Sequence, residues 1–195
     1  MSFKQLLIVQ ALAASLVFGS AVNAQGTRGA GLDFTLGRHS LRGGIVRERS
    51  GVLFDALATG RLRASSRWEF VAGGGASAAI VGAALGASSD DCLLLANGQC
   101  ARQGNFAGVN ALAGVAYGVG SGTIRALVGP ALYRGADDSS LGFQGRIDAS
   151  VPLASRAGGG VMLRATRLPS HGGQRFTLWA FGVSLTYRTH GADPR

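Results

Sequence analysis

Lysine is almost absent from this chain of 195 residues, since Lys4 is the only one. Cysteine is rare as well, and neither cysteine lies near residue 24, which argues against a lipid-anchored lipoprotein. The first apolar run, residues 6–18, is shorter than the roughly 20 residues that a membrane-spanning helix needs. An N-terminal anchor of either kind is therefore disfavoured.

The N-terminus does contain the three-part pattern of a secretory signal. Lys4 supplies a positive start, residues 6–18 form an apolar stretch, and Val22, Asn23 and Ala24 end in small residues. We predict cleavage after Ala24, so that residues 1–24 are a signal peptide. Residues 25–195 then form one exported domain that is long enough for a core of its own.

The charge balance is strongly basic, with a formal charge of +9 and a pI near 11.2. A nucleic-acid-binding protein would be expected to gather its basic residues on one face or along one helix. Here, arginines stand singly between apolar neighbours, at positions 61, 63, 125, 146 and 164. Together with the export signal, this spacing predicts no nucleic-acid partner.

Period-two alternation is the dominant pattern of the mature chain, and it is typical of β-strands with two unlike faces. In 141–151, apolar residues or glycine occupy one face, while Gln144, Arg146 and Asp148 occupy the other. Comparable segments occur at 31–37, 52–63, 67–72, 107–119, 124–134, 161–166 and 175–188. We predict an all-β fold, an eight-stranded antiparallel transmembrane up-and-down β-barrel. A soluble exported β-barrel is the alternative.

Two of these strands are less regular than the rest. Pro130 cannot donate a ladder hydrogen bond, so we expect a bulge or an early strand end within 124–134. Residues 71–87 have small residues at four-residue spacing, which also suits a helical hairpin with 107–120. Their large aliphatic residues are too few for helix insertion, so we interpret this segment as a long third strand.

The connections and the aromatic residues predict an orientation. The segments 38–51, 87–105, 135–140 and 167–174 are mostly longer and more polar than 64–66, 120–123 and 154–159. Long outer loops that alternate with short periplasmic turns would place both ends of the chain in the periplasm. Trp68, Tyr117 and Tyr187 would then lie at the periplasmic rim on the lipid side.

The signal peptide, the glycine-rich alternating strands and the terminal segment Phe176 to Tyr187 carry a family resemblance. The chain resembles the small eight-stranded outer-membrane barrels, such as the opacity-type and OmpA-type barrels. The terminal segment resembles the signal that the barrel-assembly machinery reads. The resemblance implies contact with outer-membrane lipid and lipopolysaccharide, and a role in envelope integrity, adhesion or surface binding.

A lumen of eight strands can be filled by side chains, which disfavours a wide diffusion pore. The face opposite the apolar one carries charges of both signs, which can pair across strands. The predicted lumen charge network comprises Asp33, Asp55, Arg61, Arg63, Glu69, Arg146, Asp148 and Arg164. We interpret it as a structural plug; an ion path is the alternative.

Two sites are predicted outside the membrane. Arginines crowd the first outer loop, and their guanidinium groups suit lipopolysaccharide phosphates: Arg38, Arg42, Arg47 and Arg49. An ordinary solvated loop is the alternative. Cys92 and Cys100 would form a disulfide in an oxidising compartment, because two thiols without a nearby histidine are a poor metal site.

A lipid A-modifying enzyme is the alternative function. Its candidates, His39 with Ser40 and Ser170 with His171, lie in predicted outer loops. Neither pair matches the His-x-Ser-Asn arrangement of the lipid A deacylases, and adjacent residues tend to point apart. We therefore predict no catalytic residue, no cofactor and no metal site.

Overall fold

The computed structural model describes residues 30–43, 46–64, 67–81, 92–94, 100–102, 106–134, 139–169 and 175–188. These residues form ten strands: β1 Ala30–Gly43, β2 Val46–Ala64, β3 Trp68–Val81, β4 Cys92–Leu94, β5 Cys100–Arg102, β6 Phe106–Val119, β7 Gly122–Arg134, β8 Ser139–Pro152, β9 Ala157–Pro169 and β10 Arg175–Arg188. No helix in this part of the chain is long and apolar enough to cross a membrane.

Eight strands close into one barrel in the order β1-β10-β9-β8-β7-β6-β3-β2. Every neighbouring pair is antiparallel, and the closure comes from β1, which pairs with both β2 and β10. Strands β4 and β5 form a separate two-stranded ribbon between β3 and β6. The predicted eight-stranded antiparallel up-and-down barrel is confirmed.

Alternation along each strand separates the two surfaces of the barrel. In β7, for example, Arg125, Leu127 and Tyr133 are buried, whereas Ile124 and Val128 are exposed. Large apolar side chains are exposed around the whole outer surface, including Phe34, Phe54, Phe70, Leu132, Phe143, Ile147, Leu163, Trp179, Phe181 and Leu185. A soluble barrel would hide such side chains inside, so this exterior is that of a transmembrane barrel.

The two ends of the barrel differ in how their strands are joined. Residues 120–121 and 153–156 are short turns at the end where β1 begins and β10 finishes, and Gly120 there has φ +57°. We call this end the turn end and the opposite end the loop end. Trp68 and Tyr117 face each other across β3 and β6 near the turn end, with ring centroids 4.6 Å apart.

The predicted outer loop over 38–51 is wrong. Strand β1 continues to Gly43 and β2 begins at Val46, with Leu41 opposite Arg49 and Gly43 opposite Val46. The predicted loop over 167–174 is likewise shortened, because β9 runs to Pro169. The loops were predicted where polar side chains interrupt the apolar alternation. A strand needs only about 9–11 residues to cross the membrane, and polar side chains do not prevent its backbone hydrogen bonds from continuing past that length.

The bulge or early strand end expected at Pro130 is also wrong. Strand β7 continues through Pro130 to Arg134, and Pro130 lies opposite Phe143 of β8 in unbroken register. Toward β6 the ladder has the same register on both sides of the proline, with Asn110 opposite Ala131 and Ala113 opposite Val128. The missing N–H weakens pairing with one neighbour only, so the other neighbour keeps the strand in place.

The segment 71–87 is a strand as far as it is described, because β3 extends to Val81. This confirms the strand interpretation over 71–81. Residues 82–87 lie outside the described residues.

Candidate functional site

The barrel lumen contains a cluster of six buried charged side chains from five of the eight barrel strands. It consists of three arginines and three aspartates, so its formal charges balance: Arg125, Arg146, Arg164, Asp33, Asp55 and Asp148. Each residue stands at an inward position of its strand, because alternation turns every second side chain to the lumen. We call this cluster the lumen network.

Arg146 is the centre of the lumen network. Its Nε donates to both carboxylate oxygens of Asp148, over 2.8 Å to Oδ1 and 3.0 Å to Oδ2. Its Nη1 forms an ion pair with Asp55, and its Nη2 donates to the hydroxyl of Thr35 over 3.4 Å. Arg146 is almost fully buried, so these partners replace the hydration that its guanidinium has lost.

Asp55 connects Arg146 with a second arginine. The Nη1 of Arg164 donates to Asp55 Oδ1 over 2.8 Å, so that one carboxylate holds two guanidinium groups. Strand β2, which carries Asp55, lies directly opposite β8, which carries Arg146, in the closed barrel. The contact between them therefore crosses the lumen.

A second ion pair crosses the lumen nearer the turn end. Arg125 Nη1 lies 2.8 Å from Asp33 Oδ2, and its Nη2 lies 3.5 Å from Asp148 Oδ2. The hydroxyl of Thr186 donates to Asp33 Oδ1 over 2.6 Å. Strands β1 and β7, which carry Asp33 and Arg125, are again opposite each other. Two crossing ion pairs thus occupy the interior.

A layer of uncharged polar side chains lies on the loop-end side of this network. The Tyr133 hydroxyl donates to Gln144 Oε1 over 3.2 Å and lies 3.1 Å from Ser77 Oγ. The Thr166 hydroxyl also donates to Gln144 Oε1, over 3.3 Å. The Arg164 guanidinium carbon lies 6.0 Å from the centre of the Tyr133 ring, which couples this layer to the lumen network.

Five of the eight predicted lumen charges belong to the lumen network: Asp33, Asp55, Arg146, Asp148 and Arg164. Arg61 and Glu69 form a separate ion pair of 3.0 Å near the turn end, with side chains 30% and 25% exposed. Arg63 lies on β2 beside an irregularity in register, and its side chain is outside the described residues. Sequence reasoning missed Arg125, because apolar residues surround it on both faces of β7 and alternation does not mark its face as the inward one.

The four predicted lipopolysaccharide-contacting arginines lie on strands β1 and β2 rather than in a loop. Arg38 is exposed, and its Nη2 donates to Ser50 Oγ over 3.0 Å. Arg42 lies near the end of β1, and Arg47 and Arg49 lie near the start of β2. The side chains of these last three are outside the described residues.

The predicted loop position of His39 and Ser40 is wrong, since both lie within β1. His39 is buried, and its Nε2 is 3.1 Å from the carbonyl oxygen of Ile80. Ser40 follows it on the strand, where successive side chains face opposite surfaces. Ser170 and His171 lie outside the described residues.

The two cysteines lie on the β4–β5 ribbon. Cys92 is opposite Arg102, and Cys100 is opposite Leu94, so the cysteines are diagonal rather than direct neighbours across the ribbon. The disulfide between them stays a prediction. Within the described ranges, histidine, cysteine and acidic residues form no group of three or more arranged for a metal ion.

The lumen network can close the barrel, because its charges are paired across opposite strands and surrounded by packed side chains. Leu57, Val71, Leu112 and Leu127 fill part of the interior beside it, and Leu53 and Met162 fill another part. A wide aqueous pore would need these inward positions to leave a continuous water-filled passage. The arrangement is that of a filled barrel.

Solved structures provide the comparison for this fold. No protein-family model and no curated protein matches the chain. Neisserial surface protein A is similar over 84% of this chain and 99% of its own, with 11% identity and a TM-score of 0.59. The attachment invasion locus protein Ail of Yersinia pestis, in complex with the heparin analogue sucrose octasulfate, is similar over 82% and 98%, with 9% identity and a TM-score of 0.50. The chain therefore has the fold of the small eight-stranded outer-membrane β-barrels.

Proposed function

We propose that this protein is an integral outer-membrane barrel with a structural or surface-binding role and a lumen closed to diffusion. The observation that carries the proposal is the ion pair of Asp55 with Arg146, which joins opposite walls of the barrel. A passage along the barrel axis would have to break this pair and the pair of Asp33 with Arg125. The proposal contains no enzymatic step.

The outer surface supports insertion into a membrane. Apolar side chains face outward on every barrel strand, and Trp68, Tyr117 and Tyr187 are at the turn end. Aromatic residues at the rim of an apolar band are typical of barrels that sit between two polar interfaces. Outer-membrane fractionation followed by electrophoresis of heated and unheated samples tests this location. Membrane insertion requires recovery in the outer-membrane fraction and a faster-migrating unheated form.

Liposome swelling tests the closed lumen. We expect vesicles that contain the refolded mature protein, residues 25–195, to exclude small sugars as well as vesicles without protein do. A general porin in parallel vesicles is the positive control. Rapid swelling with the wild-type protein would contradict a lumen closed to diffusion.

We further propose that the loop-end part of β1 and β2 binds lipopolysaccharide phosphate groups. Arg38 is exposed there, and Arg42, Arg47 and Arg49 lie on the same pair of strands. Guanidinium groups bind phosphate oxygens through charge-assisted hydrogen bonds. The complex of Ail shows a polysulfated ligand on that protein, and the chemistry proposed here is likewise that of several anionic groups on one ligand.

The matched test compares two double variants with the same change of charge. Arg38→Gln with Arg42→Gln removes two arginines from the proposed surface, and Arg67→Gln with Arg156→Gln removes two exposed arginines from the turn end. We expect only the first variant to bind lipopolysaccharide more weakly and to lose part of the salt dependence of binding. Equal binding by wild type and both variants would remove this proposal.

A further inference from the structure

A vestibule opens at the turn end of the barrel, on the side opposite the proposed lipopolysaccharide surface. The enclosed space at its centre is small, with about 50 Å³ of room for water-sized molecules, and it opens to solvent. Charged side chains in its lining come from β2, β3, β7 and β10: Arg61, Glu69, Arg125 and Arg188. The vestibule therefore gathers residues that lie far apart in the chain around one polar opening.

The positive charges of the vestibule are only partly compensated. Arg61 pairs with Glu69 over 3.0 Å, and Arg125 pairs with Asp33 over 2.8 Å. Among the described residues, Arg188 forms no ion pair with a carboxylate within 4.0 Å. The lumen network, which contains Arg125, is neutral, and Glu69 balances Arg61, so among the described residues Arg188 leaves one positive charge in excess at this opening.

Hydroxyl groups complete the lining. Thr59, Thr123 and Ser150 contribute side chains that can donate hydrogen bonds, alongside Thr186, which donates to Asp33. Arginine and hydroxyl donors that converge on one partly enclosed space are suited to an oxyanion. The closed lumen network lies directly beneath, so a ligand can enter this space without passing through the barrel.

We propose that the vestibule binds a small oxyanion, a phosphate or a carboxylate group, and that Arg188 is its main ligand. Arg61 and Arg125 attract the oxyanion electrostatically and keep their ion pairs with Glu69 and Asp33. In the orientation predicted from the sequence, which places both ends of the chain in the periplasm, this site faces the periplasm. The site itself does not depend on the lipopolysaccharide surface, because the two lie at opposite ends of the barrel.

Calorimetric titration of the full mature protein, refolded in neutral maltoside micelles at low salt, tests this proposal. The probes are inorganic phosphate and N-acetylglycine, which distinguish the two sources of oxyanion. We expect saturable binding of at least one probe. Arg188→Gln should weaken it about tenfold or more, because a hydrogen bond to a charged group is lost.

Arg156→Gln is the matched control, since Arg156 lies in a turn at the same end but does not line the vestibule. We expect its affinity to stay within about twofold of the wild type, whereas Glu69→Gln should bind more tightly because it frees Arg61. Migration of unheated samples verifies that each variant is folded. Absence of saturable binding in the folded wild type, or equal losses in Arg188→Gln and Arg156→Gln, would overturn the proposal.

Discussion

Asp55 and Arg146 form an ion pair between two strands that are diametrically opposite in the barrel. From β2 to β8 there are three intervening strands in either direction, β1, β10 and β9 on one side and β3, β6 and β7 on the other. The two residues are 91 positions apart in the chain. Because Arg164 binds the same carboxylate, Asp55 ties β2 to both β8 and β9.

Removal of the Asp55 carboxylate should destabilise the barrel strongly. Asp55→Asn leaves Arg146 and Arg164 buried without their shared partner, and we expect a loss of ~3–5 kcal/mol in the free energy of unfolding. Glu69→Gln breaks the partly exposed pair with Arg61, for which we expect ~1 kcal/mol or less. Urea unfolding in lipid vesicles measures both. Equal losses of stability in Asp55→Asn and Glu69→Gln would contradict a larger contribution from the buried ion pairs of Asp55.

The ion pair of Asp33 with Arg125 should show an energetic coupling in a double-mutant cycle. Asp33→Asn and Arg125→Gln each leave a buried charge, but the double variant removes both charges together. We expect the double variant to be more stable than the sum of the single effects predicts, by ~1–3 kcal/mol. Asp33→Asn combined with Arg156→Gln should be additive within ~0.5 kcal/mol, because Arg156 is exposed in a turn. Additivity in both cycles would contradict a direct contact.

The lipid face can be tested at two depths. Ile147 is 53% exposed in the middle of β8, between the inward residues Arg146 and Asp148. We expect Ile147→Arg to cost ~2–4 kcal/mol in lipid vesicles, because its charge lies at membrane depth. Leu153→Arg, in the turn after β8, should cost only ~0–1 kcal/mol. A penalty that is larger at Leu153 would overturn the assignment of the apolar band.

The uncharged layer should depend on one hydroxyl group. Tyr133→Phe removes the hydroxyl between Ser77 and Gln144, and leaves Gln144 Oε1 with only the Thr166 hydroxyl. We expect a loss of ~1–3 kcal/mol in the free energy of unfolding. Tyr187→Phe changes an exposed tyrosine on the outer surface, where we expect a smaller effect. Urea unfolding in lipid vesicles measures the stability of both variants. A loss in Tyr187→Phe as large as in Tyr133→Phe would contradict a stabilising role for the Tyr133 hydroxyl.

Local periodicity was enough to predict much of this barrel. Strand positions and faces follow from alternation, since each strand residue points to the surface opposite its neighbours. This placed Asp33, Asp55 and Arg146 inside before any strand was paired. Alternation could not identify Arg125 as a partner of Asp33, because Arg125 has apolar residues beside it on both faces of β7 and no charge pattern marks the inward face.

Strand ends and the effect of Pro130 were predicted less well. Apolar alternation stops where a strand leaves the apolar band, yet the hydrogen-bonded ladders of β1 and β2 continue to Gly43 and from Val46. Pro130 stays within β7 because pairing with β8 continues past it. Both outcomes depend on neighbouring strands, which a single segment of sequence does not contain.

The amino-acid sequence by itself determined the all-β class, the eight strands and the separation of apolar from polar faces; its export signal stays a prediction. Only the tertiary structure decided which inward charges meet. Barrel closure brings β2 opposite β8 and β1 opposite β7, and the register of every strand pair fixes the height of each side chain. The pairs of Asp55 with Arg146 and Asp33 with Arg125 arise from that closure, because ion pairing acts over a few ångströms in space whatever the separation along the chain.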